Sequence, residues 1–358
     1  MTRLRPPDRA ALAAWLWTRA AVLLLAGAGA TALDAAGDRT LVGLWRRWDA
    51  DLLRKVAEHG YDGYPADYPD RGVEAFFPGF PLVLRAVHAV VPDWTAAGLL
   101  VSLLAGAVAV VALSRLAVLD GVDGPRAVLL LLVSPSAVFL FAGYTEALWL
   151  ALALPAWLAG RSGRWALAAV LAAGACAVRV NGVFLVAGLA VLCVTSGRRR
   201  DLPWLLLPLA PVLGYAAFLW RTTGDPLRWL AAQEEGWDRR LTWPVDALRT
   251  TLAMAEGTGA FAHVARLEVA AVAVGVGLVV LLVVRRRWAE AVYVGLTVGT
   301  LATSTFYLSV ARSTLLWFPL WVLLAGARPR WVLPAYLAVA VPLCAVGVLL
   351  FTTGRWAG

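Results

Sequence analysis

Lysine is nearly missing from this chain: Lys55 stands alone among 32 basic residues, so the net charge of +9 is carried by guanidinium groups. Charged residues of either sign make up only 15% of the chain, against roughly a quarter in ordinary soluble domains. This excludes a water-exposed surface wrapped around a single core. Cysteine is limited to Cys176, Cys193 and Cys344, all inside apolar runs and without metal-type spacing. Neither a disulfide framework nor a zinc site is supported, and the three read as small core residues. His59, His88 and His263 are too scattered for a ligand set, so no metal and no other cofactor is expected. The arginines form short clusters between apolar runs rather than one basic face, which excludes nucleic acid as a partner. Walker, Rossmann and nucleophile-elbow patterns are missing, and with them any indication of a soluble nucleotide-sugar fold. The period-2 alternation of a membrane barrel strand is missing too.

What the chain has in quantity is apolar sequence: 61% of residues are hydrophobic and the mean hydropathy is +0.74. The apolar residues gather into runs near the roughly 20 residues that a spanning helix needs, and inside lipid only helices satisfy the backbone of such runs. The expected fold class is therefore all-α, a polytopic integral membrane protein. Hydropathy and breakers place about eleven spans, roughly 11–33, 95–118, 126–142, 146–160, 164–179, 182–196, 202–220, 264–284, 288–308, 313–326 and 331–352. The first run resembles a signal-peptide start but lacks a clear small-residue cleavage motif, so it reads as a retained helix. Arginine clusters at 161–164, 197–200, 285–287 and 328–330 share one side if 164–196 is two passes broken near Arg179, Asn181 and Gly182. The amino terminus is then cytoplasmic, and residues 34–94 and 221–263 form loops on the external face of the plasma (cytoplasmic) membrane.

In the first loop, Leu52, Leu53 and Val56 recur at helical spacing and Gly60 can stop the helix, which predicts a short interfacial segment. The stretch with Pro78 and Pro81 continues it along the membrane surface. Trp45, Trp48, Trp94, Trp165, Trp204, Trp288, Trp331 and Trp356 lie near span ends and suit an interfacial belt.

The candidate chemistry concentrates at the external boundary. Asp49 and Asp51 follow Trp48 soon after the first span; two residues apart on a helix, they do not share a face and have different jobs. Asp49 is either a carboxylate that accepts a proton from a hydroxyl nucleophile or the cap of the helix that follows. Glu146, between two apolar runs, is either a functional intramembrane acid or a first-turn charge that suits the helix dipole. Arg179 is flanked by apolar residues and Arg312 sits at the outward end of a span; two such forks can grip a lipid phosphate, or else snorkel to the headgroups. Asn181, in the turn after Arg179, and Gln233, in the second long loop, complete the candidate substrate-binding set. That loop is either a platform for sugar hydroxyls or simply solvated.

Six landmarks now stand in order: WDADLLRKVAEHGY, FFPGFPLVLR, SPSAVFLFAGYTEALWLALAL, GRWALAAVLAAGACAVRVNGVFLV, TGDPLRWLAAQEEGW and ARSTLLWFPLWVLLA. With them the chain resembles the PIG-V family of mannosyltransferases and its bacterial relatives. The resemblance implies one GT-C type transferase domain over 1–358, with a catalytic first external loop (34–94) and a substrate-contacting second one (221–263). It implies a polyprenyl-phosphate mannose donor, a glycan or glycolipid acceptor, inversion at the sugar carbon without a required metal, and Asp49 as the base. Leu52 and Leu53 depart from the family pattern, which often has an aromatic residue soon after the Trp-Asp pair. A competing reading is a transporter or flippase of a lipid-linked saccharide, but the polar residues cluster at one boundary rather than near the midplane.

Overall fold

The computed structural model describes residues 4–33, 40–61 and 72–355. Helices and short 3-10 turns account for the regular structure, and no strand occurs among the described residues. In chain order the helices are α1 (Pro6–Ala32), α2 (Asp49–His59), α3 (Gly79–His88), α4 (Trp94–Leu119), α5 (Gly124–Leu132) and α6 (Thr145–Arg161). Then follow α7 (Trp165–Val178), α8 (Gly182–Thr195), α9 (Leu209–Thr223), α10 (Arg228–Trp237) and α11 (Pro244–Ala255). The last are α12 (Ala260–Val284), α13 (Trp288–Ala302), the one-turn α14 (Val310–Ser313), α15 (Phe318–Ala325) and α16 (Val332–Thr352). Local chemistry sets several starts: the Asp93 carboxylate accepts from Ala96 N and begins α4, and the Asp123 carboxylate does the same for α5 through Arg126 N.

Among the described residues five helices are long and apolar enough to cross a membrane: Pro6–Ala32, Trp94–Leu119, Arg199–Thr223, Phe261–Val284 and Val332–Thr352. Trp165–Val178 and Gly182–Thr195 are shorter apolar helices. Large apolar side chains on the long helices stand open, with Trp17 at 77% and Leu24 at 74% exposure on α1. Such surface is stable in lipid and not in water, which suits a multi-pass membrane protein.

Three expectations meet the structure at helix breaks. The chain between α7 and α8 does break at Arg179–Asn181, where Arg179 is extended. The expected span 126–142 is not one helix: α5 stops at Leu132, Pro135 denies the next turn its backbone donor, and a 3-10 turn at Ala137–Leu140 follows. Likewise 313–326 resolves into α14, a 3-10 turn at Thr314–Leu316 and α15, with Pro319 setting the last start. The tryptophan belt holds only in part. Trp204, Trp288 and Trp331 are exposed, whereas Trp45 and Trp165 are buried, and Trp356 lies outside the described residues, as does part of the 34–94 loop.

The chain divides into two compact units. One comprises Met1–Arg54, Ala86–Leu158 and Leu315–Ala357. In it α1 packs on α4, α5 and α16, and α15 packs on α5. Lipid is as apolar as leucine, so small residues that admit close packing, rather than burial from water, hold such helices together. Gly106 shows this: a Cβ there would collide with the Trp15 ring, whose indole N–H donates to the Leu103 carbonyl at 3.0 Å. Asp8 and Arg115 form a two-pronged ion pair between α1 and α4, at 2.8 and 3.1 Å. At the midpoint of α1 lies Arg19, only 2% exposed, with its guanidinium over the Trp15 ring at 4.5 Å and one N–H donated to the Ala137 carbonyl at 3.2 Å.

The other unit comprises Lys55–Arg85 and Ala159–Thr314. Here α8 packs on α13, α13 on α12, α12 on α11, and α7 on α8 and α9. The 73–77 segment is tied to α9 and α10: Tyr215 Oη donates to the Glu74 carbonyl at 2.8 Å, Phe77 packs on Tyr215, and Arg228 bridges the Glu74 and Glu235 carboxylates. Gly79, at the start of α3, meets the backbone of Ala177 so closely that a Cβ would lie 2.6 Å from its carbonyl.

Candidate functional site

The sequence-derived candidates fall into two groups, one in each unit. Trp48, Asp49, Asp51 and Glu146 belong to the first. Trp48 has a left-handed backbone, φ 43, and its carbonyl accepts from Asp51 N and Leu52 N, so the turn into α2 is made at Trp48 and Asp49 is the first helical residue. Asp49 is therefore in the first turn rather than at the flanking cap position, where a negative charge still suits the helix dipole. The strained Trp48 is held by aromatic packing. Its ring meets Phe351 of α16 at 5.2 Å, and Phe351 in turn touches Trp45, Phe139 and Tyr144. Tyr144 Oη donates to the Arg47 carbonyl at 3.4 Å, and Arg47 donates to the Thr352 carbonyl at 3.0 Å. Tyr144 stands two residues before the buried Glu146, which lies in the first turn of α6. Packing thus links the Trp48–Asp49 turn to the start of α6.

Asp51 is already engaged. Arg46 Nε reaches its carboxylate at 2.7 Å and Arg54 Nε at 3.0 Å. Burial opposes ionisation of Asp51, yet the hydrogen bonds from Arg46 and Arg54 outweigh it and hold the carboxyl below the usual carboxylate range. A carboxylate so stabilised is a poor proton acceptor.

The second group, Arg179, Asn181, Gln233 and Arg312, converges on one cavity of about 370 Å³. All four are half-buried. The extended Arg179 and the turn after α7 supply one wall; α10 supplies Trp229 and Gln233; the end of α13 and the Ser309–Ser313 turn supply the rest. A short antiparallel contact closes it, with Thr242 N donating to the Thr303 carbonyl at 2.7 Å and Arg240 N to Thr305 Oγ1 at 3.0 Å.

Two further arginines that sequence reasoning passed over, Arg239 and Arg240, also line this cavity, and among the described residues no carboxylate does. Arg240 is exposed and faces Glu234 and Asp238. Arg239 donates to the Leu308 carbonyl and to Gln233 Oε1, which fixes its fork across the cavity wall. Three guanidinium groups with amide and hydroxyl neighbours make a site for an anionic oxygen-rich group such as a phosphate. Sequence reasoning also missed Glu268, buried on α12 and bonded to the backbone of Ser309, Val310 and Ala311. Its signal was present: an acid inside the apolar run of α12. Arg239 gave none, because it sits in a polar loop among other charges.

The profile of a family described as mannosyltransferase (PIG-V) matches residues 18–198. That range contains Trp48, Asp49, Asp51, Glu146, Arg179 and Asn181, while Gln233, Arg239, Glu268 and Arg312 lie beyond it. The chain is similar to GPI alpha-1,6-mannosyltransferase 2 of Mus musculus, with 37% identity over 157 residues, covering 40% of this chain and 30% of the mouse protein. The Rattus norvegicus protein of the same name matches with the same identity and coverage. The aligned part is thus less than a third of the relatives' own length. No solved structure matches the chain significantly.

Proposed function

Because the chain belongs to the mannosyltransferase (PIG-V) family, we propose that it is a GT-C type glycosyltransferase that moves mannose from a polyprenyl-phosphate donor to a hydroxyl of a glycan or glycolipid. The carrying observation is the convergence of Arg179, Arg239, Arg312, Asn181 and Gln233 on one cavity. Such a cavity suits a lipid-linked phosphate and its sugar, with Arg312 and Arg179 on the phosphate and Gln233 and Asn181 toward sugar hydroxyls. In the other unit Asp49 is the base, held by Trp48, while Asp51 is structural through Arg46 and Arg54.

A transfer of this kind balances with one carboxylate as its base. As the acceptor oxygen bonds to the sugar carbon, its proton passes to the Asp49 carboxylate. The bond from that carbon to the phosphate oxygen breaks, and the lipid phosphate leaves with the electron pair. A phosphate is already a good leaving group, so one carboxylate suffices where an inverting glycosidase uses two. We place the reaction on the external face of the cytoplasmic membrane, with 34–94 and 221–263 outside and the amino terminus inside.

The test is to incubate the purified whole chain in lipid with a panel of polyprenyl-phosphate sugars and candidate acceptor lipids, and to weigh the products. A hexose added from the mannosyl donor supports the proposal. Movement of an intact lipid-linked saccharide across the bilayer without transfer would sink it in favour of a flippase.

A further inference from the structure

Glu268 lies in the first half of α12, one of the helices apolar enough to cross a membrane, and is 1% exposed. A carboxylate persists in such surroundings only when hydrogen bonds offset its desolvation. Here both oxygens are occupied by backbone donors. Oε1 accepts from Ser309 N at 2.8 Å, and Oε2 accepts from Val310 N at 2.6 Å and from Ala311 N at 3.1 Å. Ser309 has a left-handed backbone, φ 59, which a non-glycine residue keeps when its surroundings hold it there. The turn is gripped on its other side as well: Arg239 donates to the Leu308 carbonyl, and Ser313 Oγ donates to the Ser309 carbonyl at 2.8 Å. The residue that follows the three clamped amides is Arg312, on the cavity wall. Glu268 itself does not line the cavity.

We infer that Glu268 is a positioning residue, which clamps the backbone of residues 309–311 and thereby sets the guanidinium of Arg312 in the cavity. The inference rests on the reading of that cavity as the donor-phosphate site and names the group that orders it. The clamp needs a carboxylate specifically. A glutamine offers one acceptor oxygen and a donor amide, so it cannot serve three N–H groups, yet it has nearly the same shape and carries no charge into the membrane.

The experiment uses the purified whole chain as wild type, Glu268→Gln, Arg312→Ala and the double variant. Hydrogen exchange of the 305–316 segment reads the clamp, and KM and kcat with polyprenyl-phosphate mannose read the cavity. In Glu268→Gln the exchange of amides 309–311 should speed about tenfold or more. The donor KM should rise about tenfold with kcat little changed, and the double variant should be no worse than Arg312→Ala within about twofold, because the two residues act through one contact. Unaltered exchange overturns the clamp, as does a double variant whose KM is the product of the single effects. If exchange speeds while neither Glu268→Gln nor Arg312→Ala changes the donor KM, the cavity is not the donor site and the positioning role falls with it. If Arg312→Ala raises KM but Glu268→Gln does not, the donor reading stands and this inference alone is lost.

Discussion

Asp49 and Asp51 stand two positions apart in the first turn of α2. Asp51 accepts from two guanidinium groups at Oδ1; with Asp49 as the proposed base, Asp49→Asn should lower kcat by about 10²–10⁴-fold while the helical circular dichroism stays unchanged. Normal turnover in that variant would pass the role to Asp51 and then Glu146. For Asp51 the measurable effect is on stability. Its folded-state pKa is depressed, so its ion pairs stabilise fully above the unfolded value of about 3.9 and lose that contribution as pH falls through the folded value. The difference in Tm between wild type and Asp51→Asn should accordingly be flat near neutrality and close up in acid below about pH 4. Arg312→Lys keeps charge and loses the two-pronged geometry, so its donor KM should lie between wild type and Arg312→Ala. Parity with wild type would mean that point charge alone serves.

Between residues and molecule stand the helices, and here the sequence was legible wherever one breaker acted alone. The stop of α2 before Gly60 follows from a single position, and the break at Arg179–Asn181 follows from the requirement that the arginine clusters share one side. Apolar content without periodicity concealed the rest: 126–142 and 313–326 are greasy enough to read as spans, yet Pro135 and Pro319 divide them into short helices and 3-10 turns that only tertiary packing could settle. Gly79 has a significance that no local pattern discloses. Its contact with the Ala177 backbone lets α3 cross the end of α7 beside Arg179. Gly79→Ala should therefore destabilise the protein by about 1–3 kcal/mol, read as a lowered Tm. An unchanged Tm would show that the crossing has slack.

At the scale of the whole chain, membrane class and helical content were open to a reader of composition, and the ordered landmarks pointed to the family. The grouping of Arg179, Asn181, Gln233 and Arg312 was foreseeable only as a list, because residues more than a hundred positions apart meet where α8 packs on α13 and α10 adds Gln233 to the same cavity. Topology remains the sharpest global expectation. In a chain with Cys176, Cys193 and Cys344 replaced, a single cysteine at Arg286 should resist an impermeant reagent in intact cells, and one at Leu241, 90% exposed, should react. The reverse pattern would invert the orientation.

The cation at the midpoint of α1 bears on how the protein is made. An arginine at the centre of a lone helix costs roughly 2.5–3.5 kcal/mol to insert. The carbonyl that receives Arg19 belongs to Ala137, 118 residues later in synthesis. Until the ribosome has delivered that segment, this hydrogen bond cannot form and the first helix carries the cost unrelieved. Chains truncated before Ser134 should be degraded faster than those extended past Leu140, and Arg19→Leu should slow the loss of the short ones.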